Sequence, residues 1–327
     1  VRTHGGNRQT RYADVEAVRV SADGVIGPGP LLQEAWERYR RPVAVTEAHI
    51  GCTREEQLRW LRDVWRAAHE ARDAGANVVA VTAWALLGTH NWHNLVTHDE
   101  GHYEPGAFDT RTEPPRATAL ADAIRELAAG RRRPSHPAVA GRGWWARPDR
   151  LTYPPARGDG PARAEARAID TPRTPRRTIA LLTRHGAMRD MVLSACARRG
   201  LRVVRLRVPG ASTDDAVQRL RAALTNARAW AVIDLPAPTA ARRSRRASAI
   251  ERAAAEQGIP LLRLAERTRR RSGAGVLHVA AHDPAFAPER LVDDALDLLI
   301  DGATGWWTCN AQGAHPTTAR TVATRRP

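Results

Sequence analysis

Lysine is absent from this chain, and all 51 of its basic residues are arginine. That absence removes several chemistries at once. No side chain is available for a Schiff base or for the lysine of a P-loop, and the Tyr-x-x-x-Lys pair that reductases use cannot be built. Cysteine is scarce as well. Cys52, Cys196 and Cys309 stand far apart and never form Cys-x-x-Cys. This argues against a zinc site or a disulfide framework and fits a reducing, cytoplasmic setting. No apolar run is long enough to span a bilayer, and no signal peptide is visible after Val1, so no membrane partner is expected.

What remains is ample for a folded protein. The chain has 327 residues, enough for two domains, and 43% of them are apolar, enough for a real core. The net charge of +16 raises the question of nucleic acid. Yet the arginine runs, Arg131 to Arg133, Arg242 to Arg246 and Arg269 to Arg271, lie among Ala, Ser and Pro without interleaved aromatics. Such runs read as solvated faces and argue against a nucleic-acid partner.

Along the chain, residues 1–30 look loop-like and end in the breaker Gly27-Pro-Gly-Pro30. Leu31 to Tyr39 has helical spacing and Val43 to Thr46 reads as a strand. Thr53-Arg-Glu-Glu56 opens a second helix, Gly75 caps it, and Val78 to Val81 is a fully apolar strand. A helix follows from about 117 to 129. Residues 131–177, rich in Pro and Arg, read as a linker. From Thr178 a second alternation begins. Strands are expected at 178–182, 201–206, 230–234, 261–264 and 306–309, with helices at 187–198, 214–226, 241–256 and 289–300. The fold expected is α/β: a partial (β/α)8 TIM-barrel-like region over 1–130, then a small Rossmann-like parallel α/β domain over 178–315. Residues 316–327 are expected to form a disordered tail.

Two strand-end motifs carry the chemistry. Thr46-Glu47-Ala48-His49 ends one strand, and Trp84-Ala-Leu-Leu-Gly-Thr-His-Asn-Trp92 follows the next. A carboxylate at a strand end can attack an anomeric carbon, and indoles pack on the C–H faces of sugars. Here the chain resembles glycoside hydrolase family 1. Glu47 matches the nucleophile of that family's Thr-Glu-Asn-Gly segment. Trp84 and Trp92 match both tryptophans of its Trp-Ser-Leu-Leu-Asp-Asn-Phe-Glu-Trp segment. The resemblance implies that Trp84, Asn91, Trp92 and His49 contact substrate. Asn91 stands where the family has a sugar-binding Glu, and Gly88-Thr89 where it has Asp-Asn. The family's acid/base Asn-Glu-Pro segment does not occur in the chain and would lie upstream of it. His49, His90 and His93 lack metal-ligand spacing, so no metal is expected.

The second alternation offers Gly186 after its first strand in place of a glycine fingerprint, with Arg184 nearby. Arg228 to Asp234, Gly258 to Leu262, Asp283 to Val292 and Leu296 to Gly302 are similar to segments of dTDP-4-dehydrorhamnose reductase, an extended short-chain dehydrogenase. The resemblance implies an NADP site only if so reduced a domain still binds the cofactor. The whole order resembles a bacterial fusion of the two families, described as sugar-nucleotide-binding. It implies a carbohydrate-related protein, a retaining β-glycosidase type if completed by an acid/base residue. A non-catalytic module for sugar or sugar nucleotide, and a reductase-like oxidoreductase, are the alternatives it leaves open.

Overall fold

The computed structural model describes residues 5–6, 9, 11–12, 17–22, 24–152, 177–183, 186–207, 213–235, 240–265, 275–281, 288–310 and 313–317. Of the tail expected over 316–327, residues 318–327 lie outside them, while Pro316 belongs to a strand and the Thr317 amide bonds the Trp306 carbonyl. About half of the expected linker, residues 153–176, also lies outside. The chain divides into two compact units. The first comprises residues 1–48, 59–82 and 140–174, and the second 49–58, 83–139 and 175–327. Residues 83–139 group with the second half of the chain.

The first unit opens with a short antiparallel pair, β1 (Gly5–Gly6) and β2 (Arg11–Tyr12). Helix α1 (Pro28–Tyr39) begins after Gly27, with proline in its first turn where no amide partner is needed. Strand β3 (Val43–Ala48), helix α2 (Arg54–Asp73) and strand β4 (Val78–Ala83) follow. Gly75, at φ 95°, provides the left-handed turn that ends α2. β3 and β4 pair in a two-stranded sheet. Leu32, Ala68, Ala71, Ala76 and Val78 form the core beneath, with Trp36, Val43, Val45 and Val81 against it. This is one strand–helix–strand step of the expected layer.

Part of the expected linker is folded. Trp144–Ala146 and Pro148–Arg150 are short 3-10 turns. Trp145 is buried edge-on to Trp60, at 5.0 Å between ring centroids. The Arg19 guanidinium lies 3.9 Å from the Trp144 ring centroid, and Arg150 donates to the carbonyls of Val18 and Ser21 at 2.8 Å. Indole burial and arginine bonding override a Pro- and Arg-rich composition here.

In the second unit, two small antiparallel pairs come first: β5 (Thr89–His90) with β6 (Tyr103–Glu104), and β7 (Phe108–Asp109) with β8 (Arg116–Ala117). Helix α3 (Ala119–Ala128) follows. The main sheet then alternates β9 (Thr178–Leu182), α4 (Ala187–Arg198), β10 (Val203–Leu206), α5 (Thr213–Asn226), β11 (Ala229–Asp234), α6 (Ala240–Glu256) and β12 (Leu261–Ala265). It continues through β13 (Val276–Ala281), α7 (Pro288–Ile300), β14 (Gly305–Asn310) and β15 (Gly313–Pro316). The order is β10-β9-β11-β12-β13-β14-β15, with β9 to β14 parallel and β15 antiparallel at the edge.

Every residue of β9 is buried, as a strand covered on both faces requires. On one face Ala180, Leu182, Val232, Leu261 and Val276 pack under Leu220 and Leu224 of α5 and Ile250 and Ala253 of α6. Alternate residues Ile179, Leu181, Ile233, Leu262 and Leu277 point the other way. The parallel sheet is as expected, but its order is not the dinucleotide 3-2-1-4-5-6. Counted from β9 it runs 2-1-3-4-5-6-7, the flavodoxin type of double winding. β13 and β15 are strands that the sequence pattern does not announce.

Candidate functional site

The residues that carry chemistry in the second unit gather around the loop after β4. β5 and β6 set Thr89 opposite Glu104 and His90 opposite Tyr103. This close pairing explains Gly88: a Cβ there would sit 1.9 Å from the Tyr103 hydroxyl. The Asp of the glycosidase motif has no room at that position.

The twelve residues between β5 and β6 are organised by Asn91. Its backbone sits at φ 58°, a left-handed conformation that Asn tolerates. Its side-chain carbonyl accepts the amides of Glu100 (3.0 Å) and His102 (3.2 Å), and its NH2 donates to Asp99 at 3.0 Å. The amide expected to grip substrate is therefore engaged in shaping the loop. That shaping holds Trp92 out, 42% exposed, with its ring 5.4 Å from that of half-buried Trp84 and tilted 42° to it. The Trp84–Ala85 peptide bond is cis.

His49 lies beside this indole pair, edge-on to Trp84 at 4.7 Å between centroids. Its Nδ1 donates to the Trp84 carbonyl at 3.0 Å, and its Nε2 meets Glu104 Oε1 at 2.6 Å. A carbonyl only accepts, so the hydrogen lies on Nδ1 and the second nitrogen faces the carboxylate. That hydrogen bond holds the Glu104 carboxyl below its usual range against the opposing effect of burial, with the charges of His49, His102 and His93 adding. The rim is rich in histidine. His93 bonds Glu100 at 2.9 Å and meets the His102 ring at 4.5 Å. Burial first, and then His93, hold His102 below its usual value. Among the described residues, no group of His, Cys, Asp and Glu is placed to hold a metal ion.

A chain of ion pairs fixes this loop region from behind. Asp109, with none of its side chain exposed, accepts from Arg111 Nε and Nη2 (2.9 Å each) and from Arg116 (3.1 Å). Burial opposes its charge, but the bonds and charge of Arg111, with Arg116, bring it down to about 2. Arg116 donates to the Asp301 carbonyl at 2.9 Å, and the Asp301 carboxylate pairs with Arg54 at 2.7 Å. Arg54 also donates to the Gly106 carbonyl at 3.2 Å. Next to it, Arg199 pairs with Glu55 at 2.6 Å and with Asp297.

Of the expected site residues, His49, Trp84, Asn91 and Trp92 fall together in the second unit. Glu47 belongs to the first, with an exposed side chain on β3. Glu104, on β6, was not foreseen; it lies 55 residues from its partner His49, and no motif joins them. Gly186 is the N-cap of α4 at φ 141°, with no side-chain cap bond, and Arg184 lies outside the described residues.

No family model matches this chain, and no curated protein matches it. Among solved structures it is similar to the LacI family transcriptional regulator CCPA from Weissella paramesenteroides, solved with bound glucose. The match covers 32% of this chain and 37% of that one, with 12% identity and a TM-score of 0.24. The chain thus spans little more than a third of that regulator's length.

Proposed function

We propose that this chain is a carbohydrate-related protein that binds sugar on the Trp84–Trp92 indole pair. It would be a fusion of a family 1 glycosidase-like, partly barrel-like region with a reduced reductase-like domain. The observation that carries the reading is the tilted indole pair beside the His49–Glu104 couple. A pyranose presents an apolar C–H face and an equatorial belt of hydroxyls. Indole surface suits the first, and an ionised carboxylate accepts from the second. Asn91 acts on this ligand through the loop rather than by direct contact. No cofactor is assigned, since Gly186 alone does not provide the close backbone approach that a dinucleotide needs.

The binding reading is preferred to the catalytic one. Retaining hydrolysis needs two carboxyl groups about 5–5.5 Å apart. The catalytic reading rests on the Thr46-Glu47 motif, with Glu47 as nucleophile. Titrating cellobiose while following tryptophan emission tests the preferred reading. Emission should change saturably, and Trp92→Ala should weaken binding by roughly five- to tenfold, the worth of one aromatic contact. An unchanged spectrum with a panel of mono- and disaccharides at about 100 mM, far above the millimolar Kd expected of weak contacts, would remove it.

A further inference from the structure

We infer that Arg111 is the positioning residue through which the last strands of the sheet set the geometry of the sugar shelf. The inference rests on the sugar-binding reading above. Arg111 spends its fork in two directions. Nε and Nη2 bind both oxygens of Asp109, and Nη1 donates to the Ala314 carbonyl on β15 at 2.8 Å. Its flat face is used as well, lying 4.3 Å from the Tyr103 ring centroid and 5.5 Å from that of Trp307 on β14.

Tyr103 is held on its other sides too. Its hydroxyl accepts the Thr110 amide at 2.9 Å, its ring meets His90 at 4.8 Å, and Gly88 leaves it room. Glu104 is the next residue on the same two-residue strand, and it meets His49 at 2.6 Å. A shift of β14 and β15 therefore reaches Tyr103 through one side chain, and Glu104 through one peptide bond. Lysine cannot substitute, because a point charge cannot make a bidentate pair, a third bond and a stacked face together.

The test uses the full chain with two variants. Arg111→Lys keeps the charge, and Tyr103→Leu keeps the Arg111–Asp109–Ala314 bonds while removing the ring that links them to β6. The first readout is the imidazole nitrogen NMR signal of His49, which reports its bond to Glu104. The second is affinity for cellobiose. Both variants should move the His49 signal and weaken cellobiose by about tenfold, as for one hydrogen bond to a charged group. His49 signals at the parent position in both variants overturn the inference. So does a moved signal with unchanged affinity in a parent that binds. If the parent binds no cellobiose but the signal moves in both, the sugar reading fails while the positioning role stands.

Discussion

Replacing Asp109 by Asn tests whether the buried ion chain behind the shelf stabilises the fold. Asp109 is closed to solvent and faces two guanidinium groups, Arg111 and Arg116. Its carboxyl falls from 3.8 to about 2 on folding. At about 1.4 kcal/mol per unit, the charged form contributes about 2 kcal/mol to stability at neutral pH. Asn keeps the shape but leaves half-buried Arg111 without its counter-charge and Arg116 with only Asp301, which pushes the cost toward about 3 kcal/mol. For a unit of this size, that is a fall of about 5–10 °C in unfolding temperature. The folded value lies below the unfolded one, so the contribution is present above about pH 4. It is lost as the pH falls through 3.8 toward about 2. Circular dichroism melts of parent and Asp109→Asn at pH 8, 5.5 and 3.5 are the assay. The gap should be equal at the first two and smaller at the third. A gap under about 1 °C at pH 8, where the contribution should be full, refutes the reasoning. So does one that changes between pH 8 and 5.5.

Gly88→Ala drives a methyl against the Tyr103 hydroxyl and should cost about 1–3 kcal/mol in melts while also lowering sugar affinity. Asp294 is raised from 3.8 to about 6, by burial first and then by Asp297. Its folded value lies above the unfolded one, so protonation favours the fold at low pH and the benefit is lost as pH rises through 6. Asp294→Asn should therefore melt higher than the parent at pH 8 and level with it near pH 4. His278 is lowered to about 4 by burial and then by Arg263, so its NMR titration should show a neutral ring at pH 5.5; a midpoint near 6.5 contradicts that environment. Glu47→Gln should leave the cellobiose titration unchanged if the shelf only binds. It should abolish aryl-glycoside hydrolysis if any is present, and activity that survives rules out Glu47 as nucleophile.

Much of the fold was legible because its signals are local. Gly186 precedes α4, and mostly apolar runs mark β9 and β11. β13 escaped because His278 interrupts a short apolar run, and β15 because it ends in Pro316 at a sheet edge, where proline is tolerated. The folded turns around Trp145 were hidden by Pro and Arg, residues that usually mark loops, although the indole itself is buried against Trp60 and Trp144. At the site, Trp84 and Trp92 were legible as a spaced pair. Glu104 was not, because its partner His49 lies 55 residues away and no motif joins them. The pairs of Arg54 with Asp301 and Arg199 with Glu55 depend on chain reversals that one sequence does not encode locally. The same long range hid the grouping of residues 83–139 with the sheet.

The most direct test of sugar binding at the indole pair is a crystal of the full chain soaked in cellobiose. The account predicts a pyranose with its C–H face on Trp92 and a hydroxyl at hydrogen-bond distance from the Glu104 carboxylate. Saturating cellobiose with no density on Trp84 and Trp92, or a sugar ordered elsewhere while that surface stays open to solvent, would contradict it.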